Sequence, residues 1–160
     1  MSNDKTLNLH RTKVNSDWID YNGHMNVAYY VMIGDQATDK FFNFLGMGNQ
    51  YIKKESRSNF ALDMRVVFLR ELLEGAPVIV RTQLLDYDTK RLHFLHYIEH
   101  EVENYTACLN ESVGIHIDMN QREVSCFSPD ILRKIESISK SHLEIPRPKQ
   151  LIRTIGLHET

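Results

Sequence analysis

The sequence predicts a single α+β domain in which a long apolar helix is wrapped by an antiparallel sheet. Three observations predict it. The chain has 160 residues, a length that suits one compact domain. Apolar residues recur at helical spacing from 27 to 45. Four long segments with strand-like composition then follow one another, separated by turn signals.

The N-terminal part is expected to contain a short strand over 7–14 and an ordered polar loop over 18–26. The helix is expected to begin after Asn26, a favourable N-cap, and to end at Gly46. It is apolar on more than one stripe, which predicts burial on several sides. Residues 49–57 are interpreted as a polar connection.

The remaining strands are expected over 59–69, 77–87, 91–101 and 105–119. Their turn signals are typical of an antiparallel meander. Ser128 and Pro129 predict the N-cap and first residue of a short helix, and the chain from 146 onward is expected to be loosely structured. Residues 1–160 are therefore expected to form one domain, with a core over about 8–120 and a C-terminal helix and tail over 128–160.

Composition narrows the classes of function. A net charge of -2 and a pI near 6.4 lack the basic excess of a nucleic-acid-binding protein, so no nucleic-acid partner is expected. No apolar run resembles a signal core or a membrane span, which predicts a cytoplasmic location and no membrane partner. The two cysteines, Cys108 and Cys126, are too few for a disulfide framework, and no histidine motif predicts a metal site.

The sequence DYNGHMN at residues 20–26 places an acid, two amides and an imidazole directly before the predicted helix. One interpretation is that Asp20 and Asn26 cap turns and that His24 is an ordinary surface histidine. The other is that an acyl carbonyl oxygen lies against the free N–H groups of the first helical turn, with Asp20 acting beside it. The residues alone leave both interpretations open.

The spacing of these residues resembles that of the hot-dog-fold acyl thioesterases, and plant acyl-ACP thioesterases share the Asp, Asn and His positions. The residues that carry the resemblance are Asp20, Asn22, His24 and Asn26, followed by Tyr29 or Tyr30. The order of elements agrees over about residues 8–120. The run from 18 to 30, with FLREL at 68–72 and KRLHF at 90–94, is most similar to thioesterases of betaine and carnitine catabolism.

The resemblance implies hydrolysis of a thioester in which Asp20 either attacks the thioester carbon or acts as general base for water. The backbone N–H of Val27 is the expected oxyanion donor, and Asn22 and His24 are expected to orient the carbonyl, the water or Asp20. A thiolate leaves readily, so no strong general acid is required. No cofactor is expected, since coenzyme A is part of the substrate.

The substrate implied by the resemblance is betainyl-CoA or a carnitine-derived acyl-CoA. The alternatives are a generic short- or medium-chain acyl-CoA, an acyl-ACP, or a module that binds acyl-CoA without turnover; a hydratase fits the loop less well. Asn26 is counted among the substrate-binding residues. Trp18, Tyr29 and Tyr30 are candidates for a cation–π cage around a quaternary ammonium group with Asp35 nearby, ordinary core aromatics being the alternative.

Three further residues are candidates for binding. Glu111 is a lone carboxylate on an apolar strand face, which predicts either an ion pair with a base such as Arg70 or a place in the acyl site of a neighbouring subunit. Lys90 and Arg91 follow a turn, and the resemblance implies that they hold the phosphates of CoA, unless they form a solvated pair. The resemblance also implies a homodimer or homotetramer with sites at the subunit interface.

Overall fold

The computed structural model describes residues 5–152 and residue 155. Its elements are β1 (Leu7–Lys13), α1 (Val27–Phe44), α2 (Asn49–Glu55), β2 (Arg57–Phe68), β3 (Pro77–Tyr87), β4 (Arg91–His100), β5 (Tyr105–Asp118), β6 (Glu123–Val124) and α3 (Pro129–His142). Short 3-10 turns lie at Ser16–Trp18 and Lys149–Ile152. Within the described residues, no helix is both long enough and apolar enough to cross a membrane.

All strands belong to one antiparallel sheet with the order β1-β3-β4-β5-β2, and the short β6 pairs with β5. Register shifts interrupt β2 between Ala61 and Asp63 and β3 between Leu84 and Asp86. Such irregularities bend a strand and increase its twist, which lets the sheet curl. The helix α1 packs on the inner face of the curl, so the predicted α+β class and the wrapped helix are confirmed.

A close approach between α1 and β5 fixes how the helix lies on the sheet. A Cβ atom added to Gly34 would lie 2.5 Å from the Nδ2 atom of Asn110, so glycine leaves the space that the buried Asn110 side chain fills. Because strand side chains alternate, Leu109 points to the other face of the sheet. There it packs with Leu95, and the tail residue Leu151 covers this outer cluster.

Several elements differ from the sequence-based expectation. The predicted polar connection over 49–57 is largely helix α2, because Tyr51 packs against the core and its hydroxyl lies 2.8 Å from Nε2 of His116. Helix α3 has 14 residues rather than being short. Part of the tail is also ordered, since the carbonyl of Leu151 accepts a hydrogen bond from Arg65. Finally, the buried residues of α1 follow one stripe from Tyr30 to Phe41, and Val31 and Phe44 are exposed, whereas burial on several sides was expected.

One histidine is fully buried between α1 and the sheet. The Nε2 atom of His96 lies 2.8 Å from the hydroxyl of Thr38, and its Nδ1 atom lies 2.9 Å from the hydroxyl of Thr82. The Thr38 hydroxyl donates to the carbonyl of Gly34, so its oxygen accepts from Nε2–H and Thr82 donates to Nδ1. Burial, with a smaller contribution from His10, lowers the pKa of His96 to about 3.

We predict that the free energy of unfolding falls as the pH decreases below about 6.5, because unfolded His96 takes up a proton that the folded residue excludes until about pH 3. The slope from this residue is at most about 1.4 kcal/mol per pH unit. Urea-induced unfolding at a series of pH values measures this slope. His96→Gln is expected to give a shallower slope, with a remainder from His10, His116 and His142, whose pKa values are also lowered by burial. Equal slopes for variant and wild type would contradict this prediction.

Candidate active site

The polar segment before α1 forms a tight turn closed by backbone hydrogen bonds. The Asn26 N–H donates to the Trp18 carbonyl at 2.9 Å, and the Asp20 N–H donates to the His24 carbonyl at 3.1 Å. Gly23 lies in the left-handed region with φ of 80°, which favours glycine at the tip. The segment therefore presents its side chains from a defined backbone rather than from an open loop.

The turn is also fastened to the core through the loop that precedes β3. The Met25 N–H donates to the Leu72 carbonyl at 2.8 Å, and the Leu72 N–H donates to the Tyr30 hydroxyl at 3.1 Å. Met25 and Leu72 are fully buried. Tyr30 is 3% exposed, and burial raises the pKa of its hydroxyl to about 12. In the single chain, Tyr30 thus packs in the core and is not open to a ligand.

The Asp20 carboxylate lies beside the first turn of α1. Its Oδ1 atom accepts a hydrogen bond from the Asn22 N–H at 2.8 Å, and its Oδ2 atom accepts one from Nδ2 of Asn26 at 3.1 Å. Asn26 is also the N-cap of α1, because its Oδ1 atom accepts from the Ala28 N–H at 3.0 Å. The half-buried acid is therefore held next to the positive end of the helix dipole.

The first turn of α1 leaves one N–H group available. The Asn26 side chain takes the Ala28 N–H, and the Asn26 carbonyl takes the Tyr29 N–H at 3.1 Å. Within the described residues, the Val27 N–H has no hydrogen-bond partner, and Val27 is 55% exposed. A helix N-terminus with a free, accessible N–H is suited to receive a developing oxyanion.

His24 and Asn22, the two residues expected to support Asp20, make different contacts. The Nδ1 atom of His24 lies 3.2 Å from the Met25 carbonyl. Because a carbonyl only accepts, Nδ1 carries the proton and Nε2 of the neutral ring remains an acceptor. Asn22 contributes its backbone N–H to Asp20, and the residue is exposed.

Two of the three aromatic candidates lie together beside the turn. The rings of Trp18 and Tyr29 are stacked, with centroids 5.3 Å apart and an interplanar angle of 15°. The Tyr29 hydroxyl donates to the Asp17 carbonyl at 3.4 Å. Both residues are half-buried, so the pair forms an ordered aromatic surface near Val27.

Asp35 lies farther along α1. It is eight residues beyond Val27, which corresponds to about 12 Å along the helix axis. Asp35 lines a cavity of about 840 Å³ between α1, α2 and β2, together with Asp39 and Phe60. Burial, with the neighbouring charge of Asp35, raises the pKa of Asp39. No lining residue of this cavity belongs to the segment 18–30.

Lys90 and Arg91 occupy the opposite end of the sheet from Asp20. Both are exposed at the β3–β4 turn, where the Asp88 carboxylate accepts from the Lys90 N–H at 2.9 Å and from Nε of Arg91 at 2.7 Å. The other end of β4 adjoins the loop that anchors Met25, and ten strand residues span about 30 Å. A single chain therefore separates these basic residues from the acid.

Glu111 does pair with a base, as expected, but the partner named from the sequence, Arg70, is wrong. Glu111 lies 2.8 Å from Nε2 of His93, on the sheet face opposite α1, whereas Arg70 pairs with Glu103 at 3.4 Å. The alternation of residues correctly gave Glu111 apolar neighbours on its own strand, although the adjoining strands place Arg65 and His93 beside it. Alternation did not predict the partner of Glu111, because the partner depends on the register between β4 and β5.

Two features of the site were missed in the sequence. The anchor at Leu72 acts through backbone atoms, so its residue type gives no signal for it. The hydrogen bond from Asn26 to Asp20 could have been suspected, because Asn26 was already singled out in the sequence. It was interpreted there as a helix cap and as a substrate ligand.

Comparison with known proteins places the chain among thioesterases. Residues 14–135 match the model of the Thioesterase-like superfamily. The chain is 33% identical to a betainyl-CoA thioesterase of Pseudomonas aeruginosa, with 96% of each chain covered. It is 31% identical to an L-carnitine dehydrogenase/betainyl-CoA thioesterase of Agrobacterium fabrum, covering 98% of this chain but only 32% of that larger protein.

Solved structures agree with this family. A hypothetical protein of Staphylococcus aureus, solved in complex with CoA, superposes with a TM-score of 0.89 at 27% identity, covering 96% of this chain and 97% of that one. A putative thioesterase of Pseudomonas putida superposes with a TM-score of 0.82 at 27% identity, covering 96% and 98%.

Proposed function

Because the chain belongs to the Thioesterase-like superfamily and is a hot-dog-fold acyl-CoA thioesterase, we propose that it hydrolyses betainyl-CoA or a carnitine-derived acyl-CoA through Asp20. One observation carries the assignment of the site. The Asp20 carboxylate is held beside the N-terminus of α1, where the Val27 N–H is free. An acid next to an oxyanion donor is the minimum that hydrolysis of a thioester requires.

In the proposed reaction the thioester carbonyl oxygen accepts a hydrogen bond from the Val27 N–H. Asp20 then attacks the carbonyl carbon or removes a proton from an attacking water, and charge develops on the oxygen at the positive end of α1. The carbon–sulfur bond breaks and the thiolate of CoA leaves without a strong general acid. In the nucleophilic route, water then hydrolyses the acyl–Asp20 anhydride and restores the carboxylate. The acceptor at Nε2 of His24 and the amide of Asn22 orient the water or the carbonyl.

We predict that Asp20→Asn lowers kcat by at least about 100-fold with the fold intact, because the amide is neither a base nor a nucleophile. Release of CoA thiol from acyl-CoA substrates measures it. Asp86→Asn is a matched control, since Asp86 is an exposed carboxylate that also accepts a backbone N–H. Undiminished turnover by Asp20→Asn would remove Asp20 from the mechanism.

The short arm of a betainyl group limits where its ammonium can bind. The nitrogen is one methylene from the carbonyl carbon, so it must lie close to the Val27 N–H. Tyr29 is two residues from Val27 and stacks on Trp18, so this aromatic pair is the proposed binding surface for the quaternary ammonium. The names of the relatives support the same substrate class. In the same chain, Asp35 is too far along α1 to contact this group directly.

We predict that kcat/KM for betainyl-CoA exceeds that for 3,3-dimethylbutyryl-CoA, a neutral isostere in which carbon replaces the ammonium nitrogen. Tyr29→Leu is expected to reduce this preference by about 2- to 30-fold, the range of a cation–π contact. Thiol-release assays on both thioesters measure the ratio. Equal rates for wild type would reject the cationic substrate and favour a generic short- or medium-chain acyl-CoA. Turnover of an acyl-ACP but of neither CoA thioester would show that acyl carrier protein, and not CoA, carries the acyl group.

We propose further that the chain forms a homodimer through β2. This strand has 12 residues and, among the described strands, pairs only with β5, so one edge is open. Its exposed apolar residues include Phe60, Leu62, Met64 and Phe68. A long open edge with apolar side chains favours pairing with another strand.

Such a dimer would join the parts of the site that one chain separates. Antiparallel pairing of two β2 strands has a twofold axis perpendicular to the sheet, so both α1 helices lie on one face and run antiparallel. The N-terminus of one α1 then lies towards the cavity lined by Asp35 of the other subunit. The same axis brings the Lys90–Arg91 end of one subunit towards the Asp20 end of its partner, where the two cations are suited to bind CoA phosphates.

We predict that Leu62→Lys on the exposed edge of β2 shifts the protein towards monomer, because it places charges on the shared edge. Activity is expected to fall with dimer content although the residues around Asp20 are unchanged. Sedimentation velocity and thiol release measured at matched concentrations test it. Val102→Lys, at an exposed apolar residue of the β4–β5 turn, is the control. A wild-type monomer, or a fully active monomeric variant, would contradict the proposal.

A further inference from the structure

One side chain connects the acid to the helix that carries the oxyanion donor. The Nδ2 atom of Asn26 donates to Oδ2 of Asp20 at 3.1 Å, while its Oδ1 atom accepts from the Ala28 N–H at 3.0 Å. The Asn26 backbone is also engaged, through its N–H to Trp18 and its carbonyl to the Tyr29 N–H. No other side chain within the described residues donates to the Asp20 carboxylate.

These contacts leave Asn26 little capacity to bind substrate, which was the role expected from the sequence. We infer that Asn26 is a positioning residue that holds the Asp20 carboxylate in fixed relation to the Val27 N–H. The inference rests on the proposed function of Asp20 and adds to it. By occupying the Ala28 N–H, the Asn26 side chain leaves Val27 as the free donor of the first turn.

The physical reason lies in the separation of the two reacting groups. Asp20 belongs to the turn and Val27 to α1, and a reaction at one carbonyl needs both at fixed positions. A donor to Oδ2 also fixes the rotation of the carboxylate. The amide of asparagine supplies a donor and an acceptor on two different atoms. An ionised aspartate offers no donor, and the shorter serine, whose single oxygen caps the helix, has no group at the position of Nδ2.

The decisive variant is Asn26→Asp, which is nearly isosteric and remains a favourable N-cap. It replaces the donor to Asp20 with a carboxylate oxygen. Two adjacent carboxylates do not both ionise readily, so the acid limb of kcat/KM is expected to move up by about one pH unit or more. At neutral pH kcat is expected to fall by about 10- to 100-fold, with partial recovery at higher pH and a smaller change in KM.

Asn26→Ser separates the loss of the donor from the added charge. Serine caps helices well, so the variant is expected to fold and to lose kcat without the recovery at high pH. The substitution at Asn26 leaves the other titratable side chains of the segment and the adjoining loop in place: Asp17, Asp20, Tyr21, His24, Tyr29, Arg70, Glu71 and Glu74. A difference in the pH profile between the Asp and Ser variants therefore reports on the added carboxylate.

A matched control tests whether capping alone explains the loss. Ser128 is the N-cap of α3, and its hydroxyl accepts from the Ile131 N–H at 3.4 Å without contacting a carboxylate. Ser128→Ala is expected to lower the melting temperature and to leave kcat and the acid limb unchanged. A fall in kcat for this control comparable to that of Asn26→Ser would reduce the role of Asn26 to structure and overturn the inference.

The outcomes distinguish this inference from the proposed function. If Asp20→Asn is inactive but Asn26→Asp and Asn26→Ser retain wild-type kcat and pH profile, the role of Asn26 is rejected and that of Asp20 stands. If Asp20→Asn is fully active, the proposed role of Asp20 in hydrolysis is rejected, and the positioning role of Asn26 is rejected with it. Should Asn26→Asp fail to fold, Asn26→Ser decides: unchanged kcat rejects the positioning role, and reduced kcat with an unchanged melting temperature supports it.

Discussion

The contact between Gly34 and Asn110 sets the position of α1 on the sheet, and the site depends on that position. Asparagine fills the space that a side chain at residue 34 would need, so the helix axis is held close to β5. The hydrogen bond between Thr38 and the buried His96 adds a polar contact one turn later. With the helix fixed at its middle, its N-terminus is fixed as well, and the turn that carries Asp20 is tied to that end through Asn26 and to the sheet through Leu72.

Much of the fold follows from local patterns. The start of α1 was predictable because Asn26 is a good cap before an apolar helical period, and the four long strands were predictable from their composition and turns. Helix α2 was not, since its sequence is mostly polar and its place is decided by the packing of Tyr51 on His116. Tertiary contacts of this kind leave little trace in a window of neighbouring residues.

The candidate site likewise has parts that the local sequence predicts and parts that depend on tertiary contacts. The residues from 20 to 26 are neighbours in sequence, so their proximity to the helix N-terminus was predictable. Helix geometry predicted free N–H groups in the first turn, and the resemblance to thioesterases named Val27 as the donor among them. The positions of residues on distant elements could not be predicted in this way. Glu111 faces away from α1 and pairs with His93, and Lys90 and Arg91 lie at the far end of β4, because strand register and direction place them there.

The distribution of groups around the helix is the reason for proposing a second subunit. One chain supplies the acid, the oxyanion donor and the aromatic pair of Trp18 and Tyr29 at one end of α1. It holds Asp35 and its cavity towards the other end, beside the open edge of β2. A twofold axis at that edge exchanges the two ends, so the dimer proposed above makes two complete sites from halves that no single chain brings together. The acid itself needs no partner subunit to be ordered, since Asn26 and Asn22 hold it within the chain.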